Sequence, residues 1–590
     1  PPPPPPPHAP SVGLAPLDPP YITPQRMPVL GRVTHFLPER EIVIERALDL
    51  REDLFLHDHL FVYAECKPLE ERLPILPLTM SLEFAAESAA LLSPGRGLIG
   101  FENVRGLRWI GLRDCSRTDL RIESRVESFD AETGVQRVHC TIFFENQPSF
   151  TAVALFAGAY RRDIADGVVD SSGEGPWPIG VEQVYGERLS FHGPRFWTID
   201  ALHTFGNPGA SAALRAMPRD RLFASCPDPL LLTDPCLLDG MGQLVGLWAR
   251  MHEQFILPIS VDKIEFYTPP PTTGTICPLR MEVVACDPDV RQMRFNVELE
   301  DGAGGVCARF QGWTDWLLNW TPRYENVTRQ PQGHVLAEEI VLPGLPQGSV
   351  CMLVARDCFS SVDLDWAARL FLHAQEMPQF REAPNHDRRR QFVASRAAVK
   401  DAVRTWLSRQ HGKDLPHPAE LAIEHDEHGR PFLRPGADAE LPHISIAHTA
   451  AGAVAIAADV PVGIDLEEAE RDTRSILADF TTVAERATIE RLSALYPQQT
   501  FETRLWCAKE AAGKALGIGM GGRPRDLEAI EIDEEGAFLI HHAPTGERLA
   551  VQSARVGPFV LAWTTWTSRV APAPRLPVSR SVDAAPLAVA

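Results

Sequence analysis

Pro461-Val462-Gly463-Ile464-Asp465-Leu466-Glu467 reads as one β-strand. Its period is two: Val462, Ile464 and Leu466 face one side, and Gly463, Asp465 and Glu467 face the other. Two carboxylates about 6–7 Å apart on one strand face can share a hard cation. The glycine beside them is expected to leave room for a ligand backbone or phosphate. Downstream, Arg504-Leu505-Trp506-Cys507-Ala508-Lys509-Glu510-Ala511-Ala512-Gly513-Lys514 is helical by composition. Trp506, Glu510 and Lys514 recur at i, i+4 and i+8 and share a face, with Lys509 beside them. A third carboxylate flanked by two lysines suits Mg2+ holding a diphosphate, because magnesium prefers carboxylate and phosphate oxygens to an all-protein cage. The lysines would neutralise charge on a departing phosphate. Taken singly, a D-x-E strand is usually a solvated edge and a K-E-x-x-x-K helix a salt-bridged surface; order and spacing raise them above that.

Together the strand and helix resemble the G-[IV]-D-x-E and W-x-x-K-E-x-x-x-K signature of 4′-phosphopantetheinyl transferases. Upstream, Ser445-Ile446-Ala447-His448-Thr449 is similar to that family's S-x-S-H segment, with Ala447 in place of a serine, and His428-Gly429-Arg430-Pro431 to its G-[KR]-P turn. Arg396, Lys400 and Arg404 recur every fourth residue on one helix. Their plain reading is a solvated basic face; the resemblance implies a part in binding the 3′-phosphate of coenzyme A. It further implies a pseudo-dimer of two α+β halves. In that scheme a carrier-protein serine attacks the β-phosphate of coenzyme A. Mg2+ is held by Asp465, Glu467 and Glu510, Lys509 and Lys514 balance the charge, and Ser445, His448, Arg430 and Arg396 bind the coenzyme. Glu510 or a water takes the serine proton.

The first half carries a different chemistry. Leu120, Ile122 and Val126 fall on one strand parity, as do Val138, Cys140, Ile142 and Phe144 in the next strand. An apolar helix pattern, Thr79 to Leu92, follows Leu56-His57-Asp58-His59-Leu60, and a second, from Pro235 to Met251, opens within Thr233–Gln243. Two copies of strand, helix and strands read as a tandem repeat. A lone histidine before a helix is usually structural, and an aspartate in a first helical turn is usually a cap.

Taken together these segments resemble the dehydratase domains of modular and iterative polyketide synthases. Asp58-His59 is similar to the D-H of that family, and Pro77-Leu78-Thr79-Met80-Ser81-Leu82-Glu83 to its P-G-x-x-x-L-E. Phe191-His192-Gly193-Pro194-Arg195-Phe196 is similar to Y-G-P-x-F, and Asp239 with Gln243 to D-x-x-x-[QH]. The resemblance implies a double hot-dog fold that removes water from 3-hydroxyacyl thioesters. His59 is then the base and Asp239 the acid, its pKa raised by burial, with Gly193, Pro194 and Gln243 at the substrate pocket. The pattern departs from the family at Tyr63, where glycine is expected, and over the charged stretch Glu65–Arg72. His57 competes with His59 for the base.

The predicted organisation is a proline-rich linker (1–28), a dehydratase (29–332, with hot-dogs at 29–170 and 176–332), a transferase (333–570) and a disordered tail (571–590), all of α+β class. Of the 590 residues, 57 are basic and 78 acidic, and the net charge of −21 argues against broad nucleic-acid binding. No apolar run is long enough to span a membrane. Eleven scattered cysteines without a C-x-x-C pair read as reduced thiols of a cytoplasmic protein. The opening run Pro1–Pro7 suggests a chain cut from a longer polypeptide. The order of domains resembles the C-terminal end of iterative enediyne-type synthases and of polyunsaturated fatty-acid-type synthases. That implies an acyl carrier protein in cis upstream, and a homodimer. Two other readings of the hot-dog half stay open: a domain that shapes or cyclises a poly-β-keto chain, and a non-catalytic dimerisation scaffold.

Overall fold

Strand Gln136–Phe144 buries every second residue, and its neighbour Arg117–Phe129 does the same through Leu120, Ile122 and Ser124. One face packs on a core and the other meets solvent, as antiparallel sheets allow. In this computed structural model, which describes residues 26–160, 169, 175–359, 361–412, 414–434 and 441–566, such strands build a thirteen-stranded sheet. Residues 1–25 of the expected linker and the expected tail 571–590 lie outside the described residues.

The sheet contains both repeats. They join where Gly97–Gly106 pairs antiparallel with Phe255–Phe266, Phe101 opposite Ile264. Helices Leu78–Ala90 and Pro235–Met251 pack against the sheet and each other. The first buries every residue except Leu78, so it is a core helix with no solvent face. The second starts at Asp234, whose side chain accepts from Leu237 N at 3.1 Å, with Pro235 in the first turn. Glu83 of the first helix is buried and accepts from Leu232 N (2.7 Å), Thr233 N (2.8 Å) and Thr233 Oγ1 (2.6 Å). One carboxylate thus ties the first helix to the loop that launches the second. This is a double hot-dog of α+β class.

The chain divides into two compact units between Trp320 and Thr321. The short helix Pro322–Arg329, placed before the expected boundary at 332/333, falls in the second unit. There its Tyr324 ring meets Phe359 edge-on at 6.0 Å.

The second unit has two α+β halves. Helix His386–His411 packs on strands Val350–Ala355, Gly452–Ala458 and His443–His448. Helix Phe501–Leu516 packs on the five-stranded sheet that contains Val462–Glu468 and Phe559–Thr565. The halves meet where His443–His448 runs beside Val462–Glu468, and Ser445 Oγ accepts from Ile464 N at 3.0 Å. Contrary to the expectation from sequence, Gly463 does not make room for a ligand. A Cβ there would lie 1.9 Å from Ala511 O, so the glycine lets helix Phe501–Leu516 approach the strand. No described helix is long and apolar enough to cross a membrane.

Candidate active sites

His59 follows a short 3-10 turn, Leu54–Asp58, and its ring is buried among Phe61, Phe191 and Phe196. Nδ1 lies 2.8 Å from Ile75 O. A carbonyl only accepts, so Nδ1 carries the proton and the neutral ring presents a bare Nε2 lone pair. Burial, then the neighbouring His192, hold the imidazole down to about 4, against an upward pull from Asp239, so it is neutral near pH 7. His57 lies outside that arrangement: its Nε2 lies 2.7 Å from Leu50 O, and the groups that meet Asp239 are His59 and His192.

Asp239 stands one turn inside the second helix. Its Oδ2 accepts from Gln243 Nε2 at 3.0 Å and lies 3.0 Å from His192 Nε2. Gln243 also donates to Phe196 O (2.8 Å) and accepts from Tyr185 Oη (3.1 Å), so it holds the aspartate in place. One nitrogen of His59, one of His192 and one oxygen of Asp239 all lie within 4.8 Å of each other. The two repeats therefore meet at one polar cluster. The raised Asp239 pKa expected from sequence is a correction: burial alone pushes the carboxyl up. The charge and hydrogen bond of His192, with His59 and Gln243, outweigh it, and the net direction is down.

His192 was not singled out by sequence reasoning. The signal was present, since it stands where the family pattern has tyrosine. Gly193 and Pro194 serve the backbone. Gly193 N donates to Asp58 O at 2.8 Å, and a Cβ on Gly193 would lie 2.2 Å from Asp58 Oδ1. Asp58 also accepts from Arg195 N (3.1 Å) and Nη1 (2.6 Å), pinning the Pro194–Phe196 turn beneath His59.

The second unit contains a cleft of about 540 Å3 lined by Arg388, Arg396, Arg430, Ser445, His448 and Lys514. Burial, followed by the charges of Lys514, Arg388 and Arg396, lowers the His448 pKa. Four fixed cations around one cleft suit a polyanionic ligand. Arg396 is partly spent on Glu376, 2.9 Å from its Nε. Lys400 and Arg404 do not reach the cleft. Lys400 is buried against Glu376 and Phe371 O, and Arg404 against Asp401 and Pro416 O. Arg388, two turns before Arg396 on the same helix, is the cleft cation that the four-residue spacing from Arg396 missed.

Lys514 Nζ donates to Asp465 Oδ1 at 2.7 Å and to Ile464 O at 3.0 Å. Lys509 is a correction: it cannot balance ligand charge. Its buried Nζ is taken by Phe480 O (2.7 Å), Glu485 (2.8 Å) and Pro524 O (3.3 Å). Asp465 Oδ2 is buried with no N–H or O–H partner. Glu510 has its pKa raised by burial and by the charge of Asp465, with Lys514 and Arg471 opposing. An orphaned carboxylate oxygen with the charge of a second carboxyl acting on it fits a hard divalent cation. Glu467 is engaged by Arg471 and accepts from Trp506 Nε1 at 3.1 Å. Among the described residues only the His59 cluster brings three such donor atoms within 4.8 Å, so Asp465, Glu467 and Glu510 do not converge as closely.

The chain resembles a dehydratase domain of polyketide-synthase type followed by a phosphopantetheinyl transferase domain. The family model for the polyketide synthase dehydratase N-terminal domain matches residues 171–314, and that for the 4′-phosphopantetheinyl transferase superfamily matches 461–564. A holo-[acyl-carrier-protein] synthase of Streptococcus agalactiae is 34% identical over 108 residues, 17% of this chain and 89% of that one. Through its second unit the chain belongs to the 4′-phosphopantetheinyl transferase superfamily. A 4′-phosphopantetheinyl transferase of Bacillus subtilis is 27% identical over 150 residues, 25% of this chain and 62% of that one. One polypeptide of the polyunsaturated fatty acid synthase of a Thraustochytrium species is 23% identical over 236 residues, 39% of this chain but only 8% of that polypeptide. Among solved structures, the dehydratase domain from the CurF module of curacin polyketide synthase is 17% identical with a TM-score of 0.36, covering 49% of this chain and 98% of that one. The dehydratase domain of PpsC from Mycobacterium tuberculosis is 16% identical with a TM-score of 0.37, covering 50% and 100%.

Proposed function

We propose that the chain performs two successive steps on an acyl carrier protein. Its second unit transfers 4′-phosphopantetheine from coenzyme A to the carrier serine, and its first unit removes water from 3-hydroxyacyl chains on that arm. The observation that carries the reading is the pairing, across two repeats, of a neutral His59 with a bare Nε2 and the hydrogen-bonded Asp239.

In the dehydratase, His59 Nε2 takes the C2 proton and the Asp239 cluster attends to the leaving hydroxyl. The ring of phenylalanines keeps water from the base and supports its neutral form. In the transferase, Arg388, Arg396 and Arg430 bind the anionic nucleotide end of coenzyme A. Lys514 stands against Asp465 to meet charge on the diphosphate. When bound, Mg2+ held by Asp465 and Glu510, with Glu467 nearby, supplies positive charge where the diphosphate develops it. Glu510 or a bound water accepts the serine proton.

The wider context belongs to the same proposal: a carrier in cis upstream, a cytoplasmic homodimer, and an assembly of enediyne or polyunsaturated fatty-acid type. Intact-protein mass spectrometry of a carrier given coenzyme A, and separately of a 3-hydroxyacyl-carrier, tests both halves. Gain of the arm and loss of one water are expected; absence of either withdraws that half.

A further inference from the structure

His192 is buried and held on both ring nitrogens. Nε2 lies 3.0 Å from Asp239 Oδ2, and Nδ1 lies 2.7 Å from Ser190 Oγ. Phe191 stacks on the ring at 4.0 Å, and the ring centroid of His59 is 5.1 Å away. Trp197 Nε1 donates to the His192 carbonyl at 2.9 Å, fixing the backbone as well. Asp239 Oδ2 faces two nitrogen donors, His192 Nε2 and Gln243 Nε2. A carboxylate accepting two N–H bonds is stabilised in its ionised form. An ionised carboxylate has no proton to give a leaving hydroxyl. A proton for that hydroxyl must therefore be stored elsewhere in the cluster, and an imidazole bonded to the carboxylate can store one.

Resting on the dehydratase reading above, we infer that His192 is a positioning residue of the acid half: it orients Asp239 and stores the proton that Asp239 delivers to the departing hydroxyl. The step starts with His59 neutral, His192 as imidazolium and Asp239 ionised. His59 Nε2 removes the C2 proton, and the C2–H electron pair becomes the second bond between C2 and C3. The C3–O bond breaks, its pair staying on oxygen. That oxygen takes a proton through the Asp239 carboxyl while His192 Nε2 releases its own to Oδ2. Water leaves, His59 ends as imidazolium and His192 ends neutral, its Nδ1–H directed at Ser190. Total charge is unchanged.

The test compares H192F and H192Y in the full chain, following loss of one water from a 3-hydroxyacyl-carrier thioester. The two substitutions differ by one O–H, which in tyrosine can donate to Asp239. H192F is expected to lose about 100-fold in kcat with KM within about threefold, the size of one general-acid contribution. H192Y is expected to recover about tenfold of that loss, because it restores the donor without a stored proton. Equal losses in the two variants, tracking their melting temperatures, would mean a packing role and overturn the inference, as would wild-type kcat in H192F. Should H192F not fold, H192A replaces it with added imidazole as the rescuing donor, and lack of rescue overturns the inference. A native chain that dehydrates no hydroxyacyl carrier removes the dehydratase reading itself.

Discussion

Lys400 and Lys509 occupy equivalent places in the two halves of the transferase unit. Each buried ammonium donates at 2.7 Å to the carbonyl of a phenylalanine 29 residues earlier, Phe371 or Phe480. Each also pairs with a glutamate 24 residues earlier, Glu376 or Glu485. The same lysine lock is built twice, which is how two α+β halves of one chain come to share a plan. It also explains why one lysine of the K-E-x-x-x-K helix is structural and the other is not.

Replacing Lys509 by methionine should therefore unfold rather than disarm. It leaves Glu485 buried without its cation, at a cost of about 3–5 kcal/mol. Lys514→Met should leave the melting temperature near that of the native chain and cut phosphopantetheine transfer about 100-fold or more, because among the described residues Lys514 is the lysine that meets Asp465. Thermal melts and transfer assays on both variants check this. Specific loss of transfer in Lys509→Met, with native stability, would count against it.

Arg388→Ala should raise KM for coenzyme A about tenfold, the value of one charge-assisted hydrogen bond. If Arg388 meets the 3′-phosphate, the variant should lose the preference for coenzyme A over its 3′-dephospho form. Equal weakening toward both ligands would place the contact elsewhere on the coenzyme.

His59 gives the dehydratase unit a pH signature. Its folded pKa is held down to about 4 by burial, against about 6.5 in the unfolded chain. Between those values the unfolded chain binds more protons, so stability rises with pH and the contribution is complete above about 6.5. From pH 7 to pH 5 this group alone should cost the unit about 2 kcal/mol. Denaturant unfolding at the two pH values, for the native chain and His59→Phe, reads the difference. An unchanged slope in His59→Phe would show that another group is responsible.

His57→Ala should keep most dehydratase activity, since His57 lies outside the cluster of His59, His192 and Asp239. His59→Ala and Asp239→Ala should each abolish it, and the double variant should be little worse than either, as groups acting as a unit behave. Initial rates of water loss distinguish these cases; activity in His59→Ala with none in His57→Ala would reverse the assignment.

Much of this was legible in the sequence where periodicity and motif coincide. Alternation marked the strand Gln136–Phe144, and the spacing of Asp465, Glu510 and Lys514 marked the transferase core. What failed was the direction of side chains on a known face. Lys509 is adjacent to Glu510 in sequence but points into the core, and spacing alone cannot say which lysine finds a buried glutamate. Gly463 looked like a ligand site because the helix that crowds it lies some fifty residues away. His192 lies inside a motif, but its importance depends on meeting Asp239 of a distant helix, which local sequence does not display.

The most direct measurement gives one carrier protein to three chains: native, Asp465→Ala and Asp239→Ala. Intact mass is followed first for gain of phosphopantetheine from coenzyme A with Mg2+, and then, on a 3-hydroxyacyl-loaded carrier, for loss of one water. Asp465→Ala should fail only the first step and Asp239→Ala only the second, each by at least about 100-fold. Near-native transfer by Asp465→Ala in saturating Mg2+, or near-native water loss by Asp239→Ala, would contradict the two-site account.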